Sequence, residues 1–342
     1  MRPGHGQVAH STFAEPVNRQ GRQTRAASSV STNTFVYNSN LQLETETVSV
    51  SGGSCTPCTI TRTYDFLGRP AGFSLDSGYS VSYAYDTYGR FSSLSSSVFS
   101  GSSVVEYSYL PNSDLISGYA ACGGTGTTLS VTRAYEDHRN LLTQVKNAVD
   151  SETVSQYDYA NDAAGRRTSV KYSGTAFLEP SFNLWGYNTR SELISANRFW
   201  GSNLTQTSNP VGLQDYAYAY DPIGNRTSAT RAGNTEQYTA NSLNQYSQRT
   251  VPGVVDLMGS ATTQATVTAN GLPVTRQGQY WYKELVVTNT AGAIYTNITV
   301  VGIYNPPGTN DPDVMTVQSG KVFVAQTPEQ FTYDADGNMV SD

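Results

Sequence analysis

A chain of 342 residues is long enough to bury a sizeable core, and a charged fraction of only 14% excludes an acidic or basic disordered polymer. The formal charge of -6 is uneven: Arg2, Arg19, Arg22 and Arg25 oppose only Glu15 in the first 25 residues, and the other 17 basic and 26 acidic residues leave -9. A body of that sign repels phosphate backbones over most of its surface, which disfavours nucleic acid as a partner.

Residues 1 to 30, with Pro, Gly, Gln and Ser and no apolar period, predict a disordered N-terminal arm. They hold no apolar core of the kind an export signal needs, and no later stretch approaches the ~20 apolar residues that span a bilayer. Beyond the arm, 24 tyrosines against 11 phenylalanines and 30 glycines give a β-rich profile in which amphipathic rings are the main hydrophobic material. Residues 31 to 250 carry a recurring phrase: Asp65-x-x-Gly68-Arg69, Asp86-x-x-Gly89-Arg90, Asp162-x-x-Gly165-Arg166 and Asp221-Pro-Ile-Gly224-Asn225. A fifth copy, Asp334-x-x-Gly337-Asn338, lies near the C-terminus, and four of the five follow a Tyr. A phrase repeated at such intervals marks a repeat architecture.

The run from Tyr79 to Arg90 shows the unit. Its period of two places Val81, Tyr83 and Tyr85 on one face and Ser80, Ser82 and Ala84 on the other, which is a strand. Asp then caps backbone N–H groups of a tight turn while Gly accepts a positive φ, so each unit predicts a β-hairpin. Weaker copies fill the gaps at Tyr107 to Asn112, Tyr135 to Leu141, Trp185 to Asn188 and Tyr238 to Asn244, with Asn140 and Asn244 expected where Gly stands elsewhere. Spacings of about 20 to 26 residues allow two strands and two turns per unit, so consecutive hairpins are expected side by side in one long sheet. Helical periodicity is absent from the longer windows. Cross-strand aromatic pairs and Arg over Tyr rings are the expected source of cohesion.

The rhythm breaks after Val251 and resumes at Phe331. Between them, short β-branched runs such as Ile298 to Ile303 and Lys321 to Val324 alternate with turn signals, the spacing of a small immunoglobulin-like β-sandwich. The predicted organisation is therefore a disordered arm over 1–30, a repeat sheet over 31–250, an inserted sandwich over 251–330 and a resumed repeat over 331–342. Tyr280 and Trp281 are the candidates for a glycan contact, although a Trp in such a sandwich is more commonly core.

The phrase Tyr-Asp-x-x-Gly-Arg, as in Tyr64 to Arg69, Tyr85 to Arg90 and Tyr220 to Arg226, resembles the YD repeat of the Rhs family. That family includes bacterial polymorphic toxins, the C components of insecticidal toxin complexes and the teneurins. The resemblance covers about residues 55 to 250 and 330 to 342. It implies an all-β fold in which hairpins build a curved spiral sheet, a partial shell that in relatives encloses a C-terminal effector. It further implies a structural, non-enzymatic segment whose partner is the rest of a longer chain or an encapsulated effector, at the cell surface or secreted. The alternative is a carbohydrate-binding or adhesion module using exposed Tyr and Trp. Relatives that release a toxin pair two Asp-Pro-x-Gly motifs as an aspartyl autoprotease; Asp221 to Gly224 is the only such tetrapeptide here, and a two-carboxylate mechanism needs a second Asp.

Candidate chemistry is sparse. Cys55 and Cys58 have the spacing of a redox pair or half a metal site, with Cys122 a third thiol, but a strand follows them where a redox pair needs a helix N-terminus. His138 is the only histidine beyond the arm and sits in a turn. Cys122-Gly-Gly-Thr lacks the Lys of a phosphate loop. No catalytic, cofactor-binding or metal-ligating residue is assigned, and no cofactor is expected. Asp65, Gly68, Asp86, Gly89, Asp162, Gly165, Asp221, Gly224, Asp334 and Gly337 are assigned to turns.

Overall fold

Alternating strands joined by tight turns pair most readily with their neighbours in sequence, and in its repeat region the computed structural model has that arrangement. It describes residues 16–50, 57–76, 78–97, 103–122, 126–306, 308 and 312–341, and no helix occurs among them. Twenty strands belong to one antiparallel sheet, and three smaller sheets complete the fold. This is the all-β class of consecutive hairpins that the repeat predicts. The chain divides into two compact units, residues 1–133 with 147–152, and residues 134–146 with 153–342.

In the first unit each hairpin pairs antiparallel with the next, from Ser31–Tyr37 and Leu43–Val50 to Ser103–Tyr109 and Ile116–Cys122. Arg25–Ala27 pairs with Thr32 to Thr34 at its edge, so the disordered arm expected through residue 30 is corrected over this stretch; residues 1–15 lie outside the described residues. Composition misled there because the pairing is made by backbone groups, which no side-chain pattern announces. The buried residues are few, chiefly Val81 and Val131. Rings do the packing instead: Tyr83, Phe91, Tyr107 and Tyr119 form a row across four strands with centroids 5.4 to 5.8 Å apart. Each such cross-strand pair contributes roughly 0.2 to 1 kcal/mol.

The second unit continues the pattern from Arg167–Ser173 to Tyr246–Arg249 and has the drier sheet core, with Val170, Phe182, Phe199 and Val211 buried and the two Phe rings stacked at 5.4 Å. After Arg249 the chain leaves the sheet. It returns as Glu329–Gln330, which pairs with Gln248 and Arg249, and ends in a hairpin of Thr332–Tyr333 and Met339–Ser341. The excursion builds two facing sheets. Val254–Ser260, Tyr280–Val286 and Thr275–Gln277 make one; Leu272–Pro273, Thr266–Ala269, Ile294–Tyr304 and Val314–Val324 make the other. Val255 and Leu285 from the first meet Ile298 and Val324 from the second in a common core, so the insert is a β-sandwich.

Candidate functional site: the linked turns and the mounted sandwich

Each repeat turn is built by its own residues. In Asp65 to Arg69, Gly68 N–H donates to Asp65 O and Asp65 N–H to Arg69 O, both at 2.9 Å, while Asp65 Oδ1 accepts the N–H groups of Leu67 and Arg69. This is a type I turn closed by a left-handed residue, with Gly68 at φ 79°, and it needs an extra residue on one strand. The register accordingly slips at the residue before the turn in hairpin after hairpin, at Tyr37, Tyr64, Tyr85, Tyr109, Asn161, Tyr187 and Tyr220. Gly89, Gly165, Gly224 and Gly337 occupy the same position at φ 83 to 95°, after Asp86, Asp162, Asp221 and Asp334.

The structure adds two copies that the phrase alone does not reveal. Asn18-Arg-Gln-Gly21-Arg22 and Asn38-Ser-Asn-Leu41-Gln42 have the same closing hydrogen bonds, with Asn18 and Asn38 Oδ1 in place of the Asp carboxylate. Asn for Asp, Val17 for Tyr and Leu41 for Gly hide them; the signal that would have found them is an Asn or Asp four residues before Arg or Gln. Asn244 stands at φ 61° as expected, but Asn140 does not take the Gly position. The left-handed residue of this turn is His138 at φ 63°, because Glu136 and Leu141 close a loop one residue longer, in which it stands two residues after Glu136 and two before Asn140.

Neighbouring turns are joined by two recurring contacts. The residue after the left-handed position reaches forward to the next turn: in the first unit Gln42 Nε2 donates to Gly68 O at 2.6 Å and Arg69 Nη1 to Gly89 O at 3.3 Å, and Arg90 Nη1 donates to Ser113 O. In the second unit Arg139 Nη1 donates to Asp162 O at 2.9 Å and Arg166 Nη1 to Asn188 O at 3.2 Å; in the Asn188 turn, where Ser191 is the left-handed residue, the residue before it takes the role, Arg190 Nη2 donating to Asp221 O at 2.6 Å. The Tyr before a turn reaches back: Tyr64, Tyr85, Tyr109 and Tyr187 donate their hydroxyls to Leu43, Pro70, Phe91 and Arg167 carbonyls at 2.6 to 2.9 Å. In every case that carbonyl follows the forward-reaching residue of the preceding turn. The guanidinium carbon also lies over the next Tyr ring, Arg69 over Tyr85 at 4.0 Å, Arg90 over Tyr109 at 4.3 Å and Arg166 over Tyr187 at 4.8 Å. Tyr333 closes the series, donating to Tyr246 O at 2.9 Å.

The carboxylates of these turns are held charged. Partial burial pushes Asp65, Asp86 and Asp221 up, but backbone N–H donors and the side chain of Arg69, Arg90 or Asn225 outweigh it and leave each below the ordinary Asp value. Asp162 is lowered chiefly by the Arg166 N–H and Asp334 chiefly by the Asn338 side chain. A general acid needs the opposite shift, so these groups are suited to capping and unsuited to proton donation near neutral pH.

The other sequence candidates do not converge. Cys55 lies outside the described residues; Cys58 is a free thiol pushed up by burial and then by neighbouring Asp76, the reverse of an activated nucleophile, and Cys122 is free and exposed. His138 is exposed in its turn. No group of three or more His, Cys, Asp or Glu side chains suited to a metal occurs among the described residues.

Trp281 is only 7% exposed, with its indole against Gly259, where a Cβ would lie 2.6 Å from the ring; the glycan contact expected of it is corrected to a core role. Its alternation in the strand Tyr280–Val286 turns it inward. Tyr280 faces the repeat sheet instead. It donates to Gly212 O at 2.9 Å and packs edge-on to Trp200 at 5.6 Å, while the Tyr282 ring occupies the space above Gly212 that any Cβ would fill. Asn289, 2% exposed, donates to Val251 O at 3.0 Å and Ala325 O at 2.8 Å, tying together the strands by which the chain leaves and rejoins the sheet. Asn289 was not singled out beforehand and Tyr280 was expected at a glycan instead, because both act through partners about 36 to 70 residues away.

No protein-family model and no curated sequence matches the chain. Among solved structures, it is similar to TcdB2-TccC3-TEV, at 9% identity and a TM-score of 0.36, over 93% of this chain and 21% of that one. TcdB2-TccC3-Cdc42 gives 10% and 0.36 over the same shares. A Photorhabdus luminescens Tc holotoxin pore with a mutated TccC3 gives 11% and 0.37, over 93% and 20%. The chain thus spans about a fifth of the length of these structures.

Proposed function

We propose that the chain is a non-enzymatic structural segment of a YD-repeat shell, a wall of hairpins that encloses or presents a partner carried on a longer chain of the Rhs type. The observation that supports this most is the linkage between turns. A binding loop or catalytic cleft gathers its functional groups at one place, whereas here the same small set of contacts recurs along the sheet and holds one turn to the next. Sheets of many strands without covering helices need such periodic reinforcement, since their edges and faces supply little buried area. The carboxylates, arginines and tyrosines that would otherwise suggest chemistry are consumed by it.

The sandwich is then a module mounted on the wall through Tyr280, Tyr282 and Asn289. Electron microscopy of the purified chain tests the reading. Class averages should show an open curved wall with one protruding module, and co-expression with the adjoining coding region should close it around density. A filled, compact particle in both preparations would rule the shell out.

A further inference from the structure

Among the described residues the sandwich keeps one long strand open along a whole side. Val314–Val324 is the outermost strand of its sheet and pairs with Ile294–Tyr304 over all 11 of its residues without a bulge. Thr299 shows which backbone groups this pairing uses. Its C=O accepts from Asn270 N–H and its N–H donates to Asn270 Oδ1, both at 2.8 Å, so both point away from Val314–Val324. Alternation along an antiparallel ladder then turns Ile298, Val300 and Gly302 toward that strand, where they face Gly320, Gln318 and Thr316. Met315, Val317, Ser319 and Lys321 are left presenting N–H and C=O to the free side.

Sheets ordinarily blunt such an edge with charge, Pro, a bulge or a covering segment. Here every residue from Asp313 to Lys321 is exposed, and the strand itself holds no Pro and a single charge, Lys321. Beyond Lys321 the edge enters the cleft that Val322 and Phe323 share with Tyr218 and Ala229 of the repeat sheet, which limits a second strand to the exposed stretch.

That stretch is complementary to itself. Turned antiparallel about Val317, it sets Asp313 opposite Lys321 at both ends, Val314 opposite Gly320, Met315 opposite Ser319, Thr316 opposite Gln318 and Val317 opposite Val317. Asp313 and Lys321 are its only charges, and neither is in an ion pair among the described residues. Opposite charges facing across a ladder stabilise it, whereas a parallel arrangement in register would set Lys321 against Lys321. The same two-fold brings the outward N–H and C=O groups of residues 313, 315, 317, 319 and 321 into register, for about ten hydrogen bonds, the number found in an ordinary protein interface. Val301 lies beside Val317 in the sheet, so the Val301 and Val317 side chains of both copies form one apolar row across the join.

We propose that the chain pairs with a second copy of itself along this edge, Asp313 to Lys321 running antiparallel to the same residues of the second copy. A two-fold contact of this kind closes on itself and leaves no strand edge open for further addition. The proposal does not depend on the shell reading, since the strand belongs to the sandwich and links no turns.

Sedimentation velocity of the full chain over about 5 to 500 μM tests it, and a monomer–dimer equilibrium with Kd on the order of 10 to 100 μM is expected. Lys321→Asp sets an acid opposite Asp313 and should weaken the dimer at least about tenfold, while adding Asp313→Lys to the same chain should restore it. Both positions are exposed, so circular dichroism should be unchanged in each variant. Val317→Cys reads the register: the two Cα atoms of a hydrogen-bonded antiparallel pair lie ~5.5 Å apart, within disulfide reach, so mild oxidation should join the two introduced thiols, and Val314→Cys should not cross-link. A monomer at every concentration, a dimer indifferent to Lys321→Asp, a charge-swapped variant that stays monomeric, or cross-linking at 314 in preference to 317 would overturn it.

Discussion

His138 and Gly165 are the left-handed residues of neighbouring turns of different length in the second unit, at φ 63 and 83°, and substitutions there should move stability in opposite directions. A non-glycine residue in the left-handed region costs roughly 1 to 2 kcal/mol, while glycine adds ~0.5 to 1 kcal/mol of unfolded-state entropy. His138 is exposed and has no hydrogen bond to lose, so His138→Gly should stabilise by about 0.5 to 1 kcal/mol. Gly165→Ala should destabilise by a similar amount; the new Cβ would lie 3.5 Å from Leu141 Cδ1, an ordinary contact, so the cost is conformational and not steric. Asn140→Gly is the control that separates the two registers of this loop. Asn140 has no positive φ, so the substitution should cost about 0.5 to 1 kcal/mol instead of stabilising. Urea unfolding followed by circular dichroism, with hydrogen exchange at the turn amides, measures all three. Stabilisation by Asn140→Gly together with destabilisation by His138→Gly would refute the turn register.

Three further outcomes follow from the contacts. Asn289→Ala removes two donors and leaves the Val251 and Ala325 carbonyls without them, so thermal unfolding should show a loss of about 2 to 4 kcal/mol, and unchanged stability would deny Asn289 its tying role. Gly212→Val would place side-chain atoms inside the Tyr282 ring, so limited proteolysis should release the sandwich from the sheet; an uncleaved variant would show that the seat lies elsewhere. Because Asp65, Asp86, Asp162, Asp221 and Asp334 titrate below their ordinary value when folded, their contribution is fully present above that value and is lost as pH falls through the depressed ones. Asp256, raised by burial, acts in the opposite sense. Denaturant midpoints should thus hold steady down to about pH 5 and fall below about pH 4, and a midpoint that rises there would contradict the capping role.

Much of this architecture was written in the chain at short range. Period-two runs and the Asp-to-Gly interval are local, and turns and strands form from local preferences, so the hairpins and the break after Val251 could be read directly. What lay beyond reach was determined by partners distant in sequence. Arg69 was expected near a Tyr ring, but its partner Tyr85 and its acceptor Gly89 belong to the next repeat, a relation that exists only once the sheet has formed. Leu41 in a left-handed turn contradicts its own preference and is tolerated because Asn38 and Gln42 already close the loop. Trp281 stayed open because a Trp in such a sandwich, though more commonly core, also suits a sugar surface until the facing Gly259 is known.

The linkage of successive turns is tested most directly by hydrogen exchange on Arg166→Met. Arg166 caps its own turn at Asp162 and reaches Asn188 O, Ser191 Oγ and the Tyr187 ring in the next. The account predicts that amides of the turn from Asn188 to Glu192 exchange about fivefold or more faster in the variant, equivalent to ~1 kcal/mol of local stability, alongside those of the mutated turn. Faster exchange confined to residues 162 to 166, with the next turn unaltered, would contradict it.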